Sequence, residues 1–303
     1  MGILGVAGAE TCVAGDGIYF GGTGGTSSGN KTNSFDGCAW ASESNLGRSV
    51  KPVCAGGISS DAIQGAGSQD GASSKFNGSS WASITAFPYE RGEATGGDGD
   101  SDDALLAGGY GTASGSTNSS VRRQDTHTWN GSSWSSAADL PWSETYQART
   151  VDGHSYGGDA GGGMIVGGAY GSGTQWNGYS WIWNGSSWST ASSAHSGNYS
   201  TTNGSGNASA FTAGFGHSGS FITATEKWNG SSWSSAGSSN SGHQKGASGG
   251  SGSATGSHNI IICSGQKSGV SNSLDVDRYD GTAWAVQANC LFSGQEGGAG
   301  FRG

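Results

Sequence analysis

The sequence predicts an all-β protein, a single six-bladed β-propeller with about 50 residues per blade. A motif of an aromatic residue, Asn or Asp, Gly, two small residues and Trp recurs along the 303-residue chain. Successive copies are 41 to 54 residues apart, and a period in this range with four short strands per unit is typical of a propeller blade. No stretch has the 3.6-residue apolar period of a helix. We therefore assign residues 1–303 to one domain, with the final tryptophans of the motifs as blade markers: Trp40, Trp81, Trp134, Trp188, Trp233 and Trp284.

Each copy of the motif is predicted to form the tip of a β-hairpin. Residues 129–134 read Trp-Asn-Gly-Ser-Ser-Trp, and residues 183–188 and 228–233 repeat this sequence. Residues 76–81 begin with Phe, and the looser copies at 35–40 and 279–284 have Asp in place of Asn. Asn-Gly and Asp-Gly accommodate the positive φ of a tight turn. The two aromatics are diagonal neighbours in a two-residue turn and lie directly opposite in a four-residue turn, so either turn produces an aromatic pair that favours burial.

Each repeat also contains a short apolar run that ends at or near glycine. Such runs are typical of strands that are buried on both faces. Glycine-rich segments, such as residues 91–100, 157–163 and 244–253, suit the innermost strands, where neighbouring blades crowd together. The N-terminal residues 2–11 and C-terminal residues 294–303 both have this composition. Either the C-terminal strand completes the first blade and displaces the N-terminus, or one end pairs with a neighbouring subunit. The apolar runs are residues 18–22, 62–67, 104–109, 164–168, 211–214 and 260–265, of which 62–67 is the weakest.

Composition argues against several classes of function. With 61 Gly and 32% hydrophobic residues, the chain has little aliphatic core, so its 12 Trp must supply the apolar area. A net charge of −9 and 13 scattered Lys and Arg argue against nucleic acid as a partner. No apolar run approaches the ~20 residues that cross a bilayer, and the N-terminus lacks the features of a signal peptide. Five cysteines without a CxxC motif leave at least one thiol unpaired.

The repeats resemble a known family. An apolar strand ending in Gly-Gly, followed by residues 223–233, Thr-Ala-Thr-Glu-Lys-Trp-Asn-Gly-Ser-Ser-Trp, is similar to the kelch-like repeats of bacteriophage structural and tail-fibre proteins, especially those of marine phages. The resemblance covers nearly the whole chain. Kelch blades commonly carry Pro and Arg after the Trp; Pro88 with Arg91 and Pro141 with Arg149 keep this feature, and the last three repeats lack it.

This resemblance implies a kelch-like propeller that works in a virion. The expected function is a non-enzymatic structural or adhesion module of a tail fibre or other surface appendage, which attaches to a host. The implied partners are other virion proteins and a host-surface glycan or protein, with a homo-oligomer as one candidate assembly. Because a fold hosts many activities, the resemblance is specific for the fold rather than for the partner.

Residues 153–157, Gly-His-Ser-Tyr-Gly, match the GxSxG pattern of an esterase nucleophile. That chemistry needs a turn between a strand and a helix, and an all-β chain has no such helix. We therefore interpret Ser155 as part of a glycine-rich inner strand. Neither a catalytic residue nor an organic cofactor is predicted.

Asp98, Asp100 and Asp102 alternate within an acidic, glycine-containing loop at residues 98–103. Carboxylate oxygens at such spacing are the hard ligands that Ca²⁺ prefers. The loop lacks the twelfth-position Glu of an EF-hand, and a solvated acidic turn is the alternative. These three residues are the candidate metal ligands of the chain.

A seventh copy of the motif, residues 176–181, lies only seven residues before the next copy and cannot head its own blade. It is predicted to extend a hairpin in the fourth repeat and to present Trp176, Tyr179 and Trp181 as candidate ligand-binding aromatics. Aromatic faces stack on sugars, and six-bladed fucose-binding lectins contain similar Trp-Asp-Gly-x-x-Trp hairpins. A soluble lectin with sites between blades is therefore the alternative function. The six regular aromatic pairs are instead expected to pack between blades.

Overall fold

The computed structural model describes residues 16–22, 29–67, 70–91, 100–108, 123–141, 155–159, 161–166, 169–170, 175–176, 180–193, 199–203, 210–215, 221–243, 247–251, 259–294 and 298–302. These residues form strands and turns without a helix, which confirms the all-β prediction. A membrane-spanning helix is accordingly absent from the described residues.

In the described residues, the strands assemble into six antiparallel sheets and one two-stranded ribbon. The first sheet has the order β25 (Gly298–Arg302), β1 (Asp16–Phe20), β2 (Thr32–Phe35), β3 (Trp40–Ser42); the second, β4 (Pro52–Ile58), β5 (Asp61–Gly67), β6 (Ser73–Phe76), β7 (Trp81–Ile84); and the third, β8 (Ala104–Ala107), β9 (Thr126–Trp129), β10 (Trp134–Ala137). The fourth contains β11 (Ser155–Asp159), β12 (Gly162–Val166), β15 (Ser180–Trp183) and β16 (Trp188–Ala191), and the ribbon β13 (Ala169–Tyr170) and β14 (Gln175–Trp176) is inserted between β12 and β15. The fifth contains β17 (Tyr199–Asn203), β18 (Ala210–Phe215), β19 (Ile222–Trp228) and β20 (Trp233–His243); the sixth, β21 (Ala247–Ser251), β22 (Asn259–Cys263), β23 (Val276–Tyr279) and β24 (Trp284–Gln287).

All six regular motifs form the same four-residue turn between the last two strands of a sheet. In the third sheet, Oδ1 of Asn130 accepts hydrogen bonds from the backbone N–H groups of Ser132 and Ser133, at 3.1 and 2.9 Å, and Gly131 has a φ of 86°. The two aromatics lie directly opposite each other, as expected for the longer of the two predicted turns. Their ring centroids are 5.0–5.5 Å apart in the pairs Phe35–Trp40, Phe76–Trp81, Trp129–Trp134, Trp183–Trp188, Trp228–Trp233 and Tyr279–Trp284.

The predicted apolar runs are strands, and those with described side chains are buried on both faces. In β8, Ala104 and Leu106 pack in the cluster between the second and third sheets. Leu105 and Ala107 point the other way and pack in the cluster between the third and fourth sheets. Because successive side chains of a strand alternate between faces, one apolar run supplies two interfaces.

Six apolar clusters in the described part of the chain fill the spaces between consecutive sheets. The last of them joins the sixth sheet to the first, where Tyr19 and Phe35 pack with Ile261 and Val276. Each cluster includes a motif aromatic, so the expectation that the regular aromatic pairs pack between sheets is confirmed.

The C-terminal strand forms one edge of the first sheet. β25 pairs antiparallel with β1 from Asp16–Arg302 to Phe20–Gly298. It also contacts β4 of the second sheet and β21 of the sixth. Of the two predicted arrangements of the chain ends, the pairing with β1 is therefore that of the C-terminal strand. Residues 1–15 lie outside the described part of the chain.

In five of the six motifs, the final tryptophan also donates its indole N–H to the preceding repeat; the five are Trp40, Trp81, Trp188, Trp233 and Trp284. Trp81 donates to the hydroxyl of Thr32 and Trp188 to that of Thr126, both at 2.9 Å. Both threonines lie three residues before the first aromatic of their own motif. The buried Trp134 Nε1 has no hydrogen-bond partner, and the corresponding residue of the preceding sheet is Ser73.

We expect Thr126→Val to lower the free energy of unfolding by about 1–3 kcal/mol, because it leaves the buried Trp188 Nε1 without its hydroxyl acceptor. Urea denaturation measures the change. Thr128→Val, in the same strand but only half buried, is the matched control and should change stability by less than about 0.5 kcal/mol. Equal losses in the two variants would contradict a specific contribution from the indole hydrogen bond.

Candidate functional site

The two ends of the strands carry different structures. The motif turns lie at one end, which we call the turn end, and are always four residues long. The connections that lead into the strand before each motif turn lie at the other end, the loop end. They range from five residues, 68–72, to eighteen, 108–125. The longest connections between strands are therefore at the loop end.

Of the three aromatics of the predicted ligand site, the structure describes the backbone of Trp176 and the side chain of Trp181. Trp176 lies in the β13–β14 ribbon, opposite Ala169, in the connection at 167–179 at the loop end. Trp181 instead lies in β15, opposite Ile165, where it is half buried and packs against the cluster between the third and fourth sheets. Tyr179 and the Trp176 side chain lie outside the described part of the structure.

The predicted acidic loop lies at the turn end. Asp100 Oδ1 accepts hydrogen bonds from the N–H groups of Asp102 and Asp103, at 3.0 and 3.1 Å, so this carboxylate caps its own turn. Asp98 lies outside the described residues. Among the residues that the structure describes, no three His, Cys, Asp or Glu side chains are grouped so that they could hold a metal ion. A Ca²⁺ site at Asp98, Asp100 and Asp102 remains a prediction.

The GxSxG serine lies in a strand. Ser155 is the first residue of β11 and pairs with Val166 of β12. A nucleophile elbow requires a sharp turn that leads into a helix. Ser155 therefore has the backbone expected of an inner strand, as the sequence predicts.

A charged cluster at the loop end, between the second and third sheets, was missed at the level of sequence. Arg91 is fully buried and forms an ion pair with Asp125, which immediately precedes β9. Its guanidinium carbon lies 5.4 Å from the ring centroid of Phe87 and 5.2 Å from that of Tyr89. Burial lowers the pKa of Arg91, and the charge of Asp125 opposes that shift. The Pro88–Arg91 spacing was the only sequence signal for this cluster.

His127 completes the cluster. It is 2% exposed, and its ring makes edge contacts with Phe87 and Tyr89 at centroid distances of 4.7 and 5.6 Å. Nε2 lies 3.3 Å from Ser136 Oγ, and Nδ1 lies 3.5 Å from Asp125 Oδ2 without forming a hydrogen bond.

The order Ser136, His127, Asp125 matches a hydrolytic triad in residue type only. A triad needs an acid that is hydrogen-bonded to the imidazole and holds its orientation. Here Asp125 is paired with Arg91 instead. The geometry of the cluster is that of an inter-sheet contact.

We expect His127 to make the folded state less stable at acid pH. Burial is the main cause that lowers its pKa and Arg91 adds to it, while Asp125 and Asp139 oppose the shift. With a folded pKa below the unfolded value of about 6.5, the unfolded chain binds more protons below that pH, so stability falls as pH decreases.

The urea midpoint should therefore drop between about pH 7 and about pH 5, and His127→Gln should reduce the drop. The other five histidines are unchanged in this variant, so their contribution cancels in the comparison. An identical pH dependence in the two proteins would contradict the assignment to His127.

The cysteines show no reactive thiol among the described side chains. Cys38 is disulfide-bonded, whereas Cys263 and Cys290 are free and buried in the cluster between the sixth and first sheets. Burial raises the pKa of Cys290 to about 12 and also raises that of Cys263. Because the thiolate is the nucleophile, these two cysteines are chemically inert at neutral pH.

No protein-family model and no curated protein sequence matches the chain. The fold is similar to the solved structure of YjhT, with a TM-score of 0.60 and 15% sequence identity over 83% of this chain and 87% of that one. At this identity the similarity concerns the fold alone. It supports a multi-sheet β architecture that is compatible with a β-propeller, and the resemblance to phage repeats rests on the sequence motif.

Proposed function

We propose that the chain is a six-bladed β-propeller that serves as a non-enzymatic structural and adhesion module of a virion, in a tail fibre or related surface appendage. The observation that carries the proposal is the difference between the turns at one end of the strands and the connections at the other. The aromatic pairs of the six equal motif turns pack between the sheets. The connections at the loop end differ from one another in sequence and in length. Loops held by a rigid scaffold are the usual site of recognition.

Two observations support the ring. Six apolar clusters follow one another around the described sheets and return from the sixth sheet to the first. The C-terminal strand β25 pairs with β1 and contacts β4 of the second sheet and β21 of the sixth, as expected of a terminal strand that closes a ring. The fold similarity to YjhT is in keeping with this arrangement.

The motif tryptophans make contacts within the fold, and this weighs against the alternative of a soluble lectin with equivalent sugar sites between blades. Such sites need aromatic faces and polar groups that can turn to a ligand. Instead, the indoles of Trp81, Trp188 and Trp284 donate to threonines of the preceding sheets. A glycan site at the extra motif, residues 176–181, fits an adhesion module better because this motif departs from the repeat.

The first test is the assembly state of the purified chain, measured by light scattering and electron microscopy. A trimer, a fibre or copies bound to a virion are the expected results. A compact monomer that binds sugars at several equivalent sites would overturn the proposal in favour of the lectin.

The second test concerns the loop end. Trp176→Ala with Tyr179→Ala should weaken binding to immobilised glycans or bacterial envelope fractions by more than about tenfold, as expected for aromatic anchors. Val286→Ala is the matched control, because Val286 is 64% exposed on the outer strand β24 and belongs to no repeat turn. Equal binding by both variants would remove the ribbon from the recognition surface.

A further inference from the structure

Four of the six turns at the turn end begin with an exposed Asn-Gly pair. They are Asn77, Asn130, Asn184 and Asn229, each followed by a glycine of positive φ. The other two turns have Asp36 and Asp280 at the same position. The six turns thus have the same structure, and their first residue carries an amide in four of them and a carboxylate in two.

The amide oxygen in these turns is held by three donors. Oδ1 of Asn77 accepts the N–H of Ser79 at 3.1 Å, the N–H of Ser80 at 2.9 Å and the hydroxyl of Ser79 at 3.0 Å. Asn130, Asn184 and Asn229 accept the corresponding three hydrogen bonds.

The backbone nitrogen of the glycine that follows each of these described Asn residues makes no such contact. In these four described turns, the N–H of the glycine after the Asn donates no hydrogen bond. Each described turn therefore combines a backbone nitrogen that makes no hydrogen bond with a side-chain carbonyl whose oxygen accepts several.

We propose that Asn77, Asn130, Asn184 and Asn229 are sites of self-modification, in which the fold promotes deamidation of Asn to Asp. The glycine nitrogen loses its proton to water and attacks Cγ, and the negative charge that forms on Oδ1 is stabilised by the three donors, as in an oxyanion hole. Water then gives a proton to Nδ2, the Cγ–Nδ2 bond breaks, ammonia leaves and a succinimide remains. Water opens the ring at the new Cγ–N bond to produce Asp, or at the backbone carbonyl to produce isoaspartate.

The residue that the reaction would produce is encoded at the same position in two other turns, Asp36 and Asp280. Asp280 Oδ1 accepts the N–H groups of Thr282 and Ala283, at 2.8 and 2.9 Å, and the Thr282 hydroxyl at 2.7 Å. These hydrogen bonds, with that from the Thr282 side chain the strongest, lower the pKa of Asp280 to about 2. An Asp product therefore keeps the turn and adds a negative charge to the turn end. Isoaspartate lengthens the backbone within the turn and disturbs the opposite pairing of the aromatics.

The test compares folded and unfolded chains. The purified full chain is incubated at mildly alkaline pH, with and without urea, and peptides spanning each turn are quantified by mass spectrometry. Deamidation at the four turns should be several-fold faster in the folded chain, with Asp as the main product. Slower reaction in the folded chain would overturn the proposal.

Two variants of one turn isolate the role of the donors. Ser79→Ala removes the hydroxyl donor to Asn77 and should slow deamidation there several-fold, while the other three turns serve as internal references. Ser80→Ala is the control, because its side-chain hydroxyl makes no hydrogen bond to Asn77 in this described turn. Both positions are exposed, so the chain should fold in each case. Equal rates in the two variants would exclude a contribution of the Ser79 hydroxyl.

Discussion

A chain that ends at residue 297, without β25, is expected to lose its cooperative unfolding transition. The deletion removes the whole backbone ladder to β1, from Asp16–Arg302 to Phe20–Gly298. At about 0.5–1.5 kcal/mol per hydrogen bond, this loss is comparable with the total stability of about 5–15 kcal/mol that a folded domain has. The contacts of β25 with β4 and β21 are lost as well, so the first and sixth sheets are no longer tied through an inner strand.

Calorimetry and urea denaturation followed by tryptophan fluorescence measure this change. Deletion of residues 2–11 is the matched control, because this segment has the same glycine-rich composition but β1 pairs with β25. We expect the control to keep one sharp transition. If the two deletions were equally tolerated, either end would suffice as the inner strand, and the C-terminus would not be the specific partner of β1.

Arg91→Ala is expected to have the second large effect, a loss of about 3–5 kcal/mol in the free energy of unfolding. The side chain is fully buried, and its removal leaves the Asp125 carboxylate, which is 26% exposed, without its cation. The contacts of the guanidinium with Phe87 and Tyr89 are lost at the same time. The stem of a buried Arg contributes to packing, so the effect is not one of charge alone.

A similar ion pair on the same molecule provides the control. Arg48 pairs with Asp70, but the two side chains are 29% and 47% exposed. Arg48→Ala should therefore cost only about 0–1 kcal/mol.

A double-mutant cycle with Asp125→Ala completes the comparison. The double variant should be more stable than the sum of the two single losses implies, because it leaves no unpaired charge. Additive losses would show that Arg91 acts through packing without coupling to Asp125.

Much of the fold could be predicted because its determinants are local. Asn130 and Gly131 define the turn through the side-chain cap and the positive φ, and these preferences hold wherever the pair occurs. The run 104–107 is apolar at every position, which predicts a strand with neighbours on both faces. Regular repetition then predicts that the aromatic pairs bury against adjacent units.

The candidate site was less predictable because its contacts join distant residues. Trp181 has the same local motif as the regular turns, yet its position in β15 directs it into the cluster between the third and fourth sheets. Its partner strand, and not its immediate sequence, determines its exposure. The Arg91–Asp125–His127 cluster combines segments that are 34 and 36 residues apart, and no short motif specifies such a combination.

The sequence by itself determined the strands, the repeated turns and the burial of the motif aromatics, because each depends on residues that are neighbours in the chain. The tertiary structure alone decided which terminus pairs with β1, which arginine is buried and which of the extra aromatics packs inside. These features depend on side chains and backbone groups that come into contact only when the sheets assemble. Burial and hydrogen bonding in the assembled sheets then determine the free energy of folding. Arg91–Asp125 and Arg48–Asp70 are ion pairs of the same residue types. They are expected to contribute differently to stability because the first arginine is buried between two sheets and the second is partly exposed.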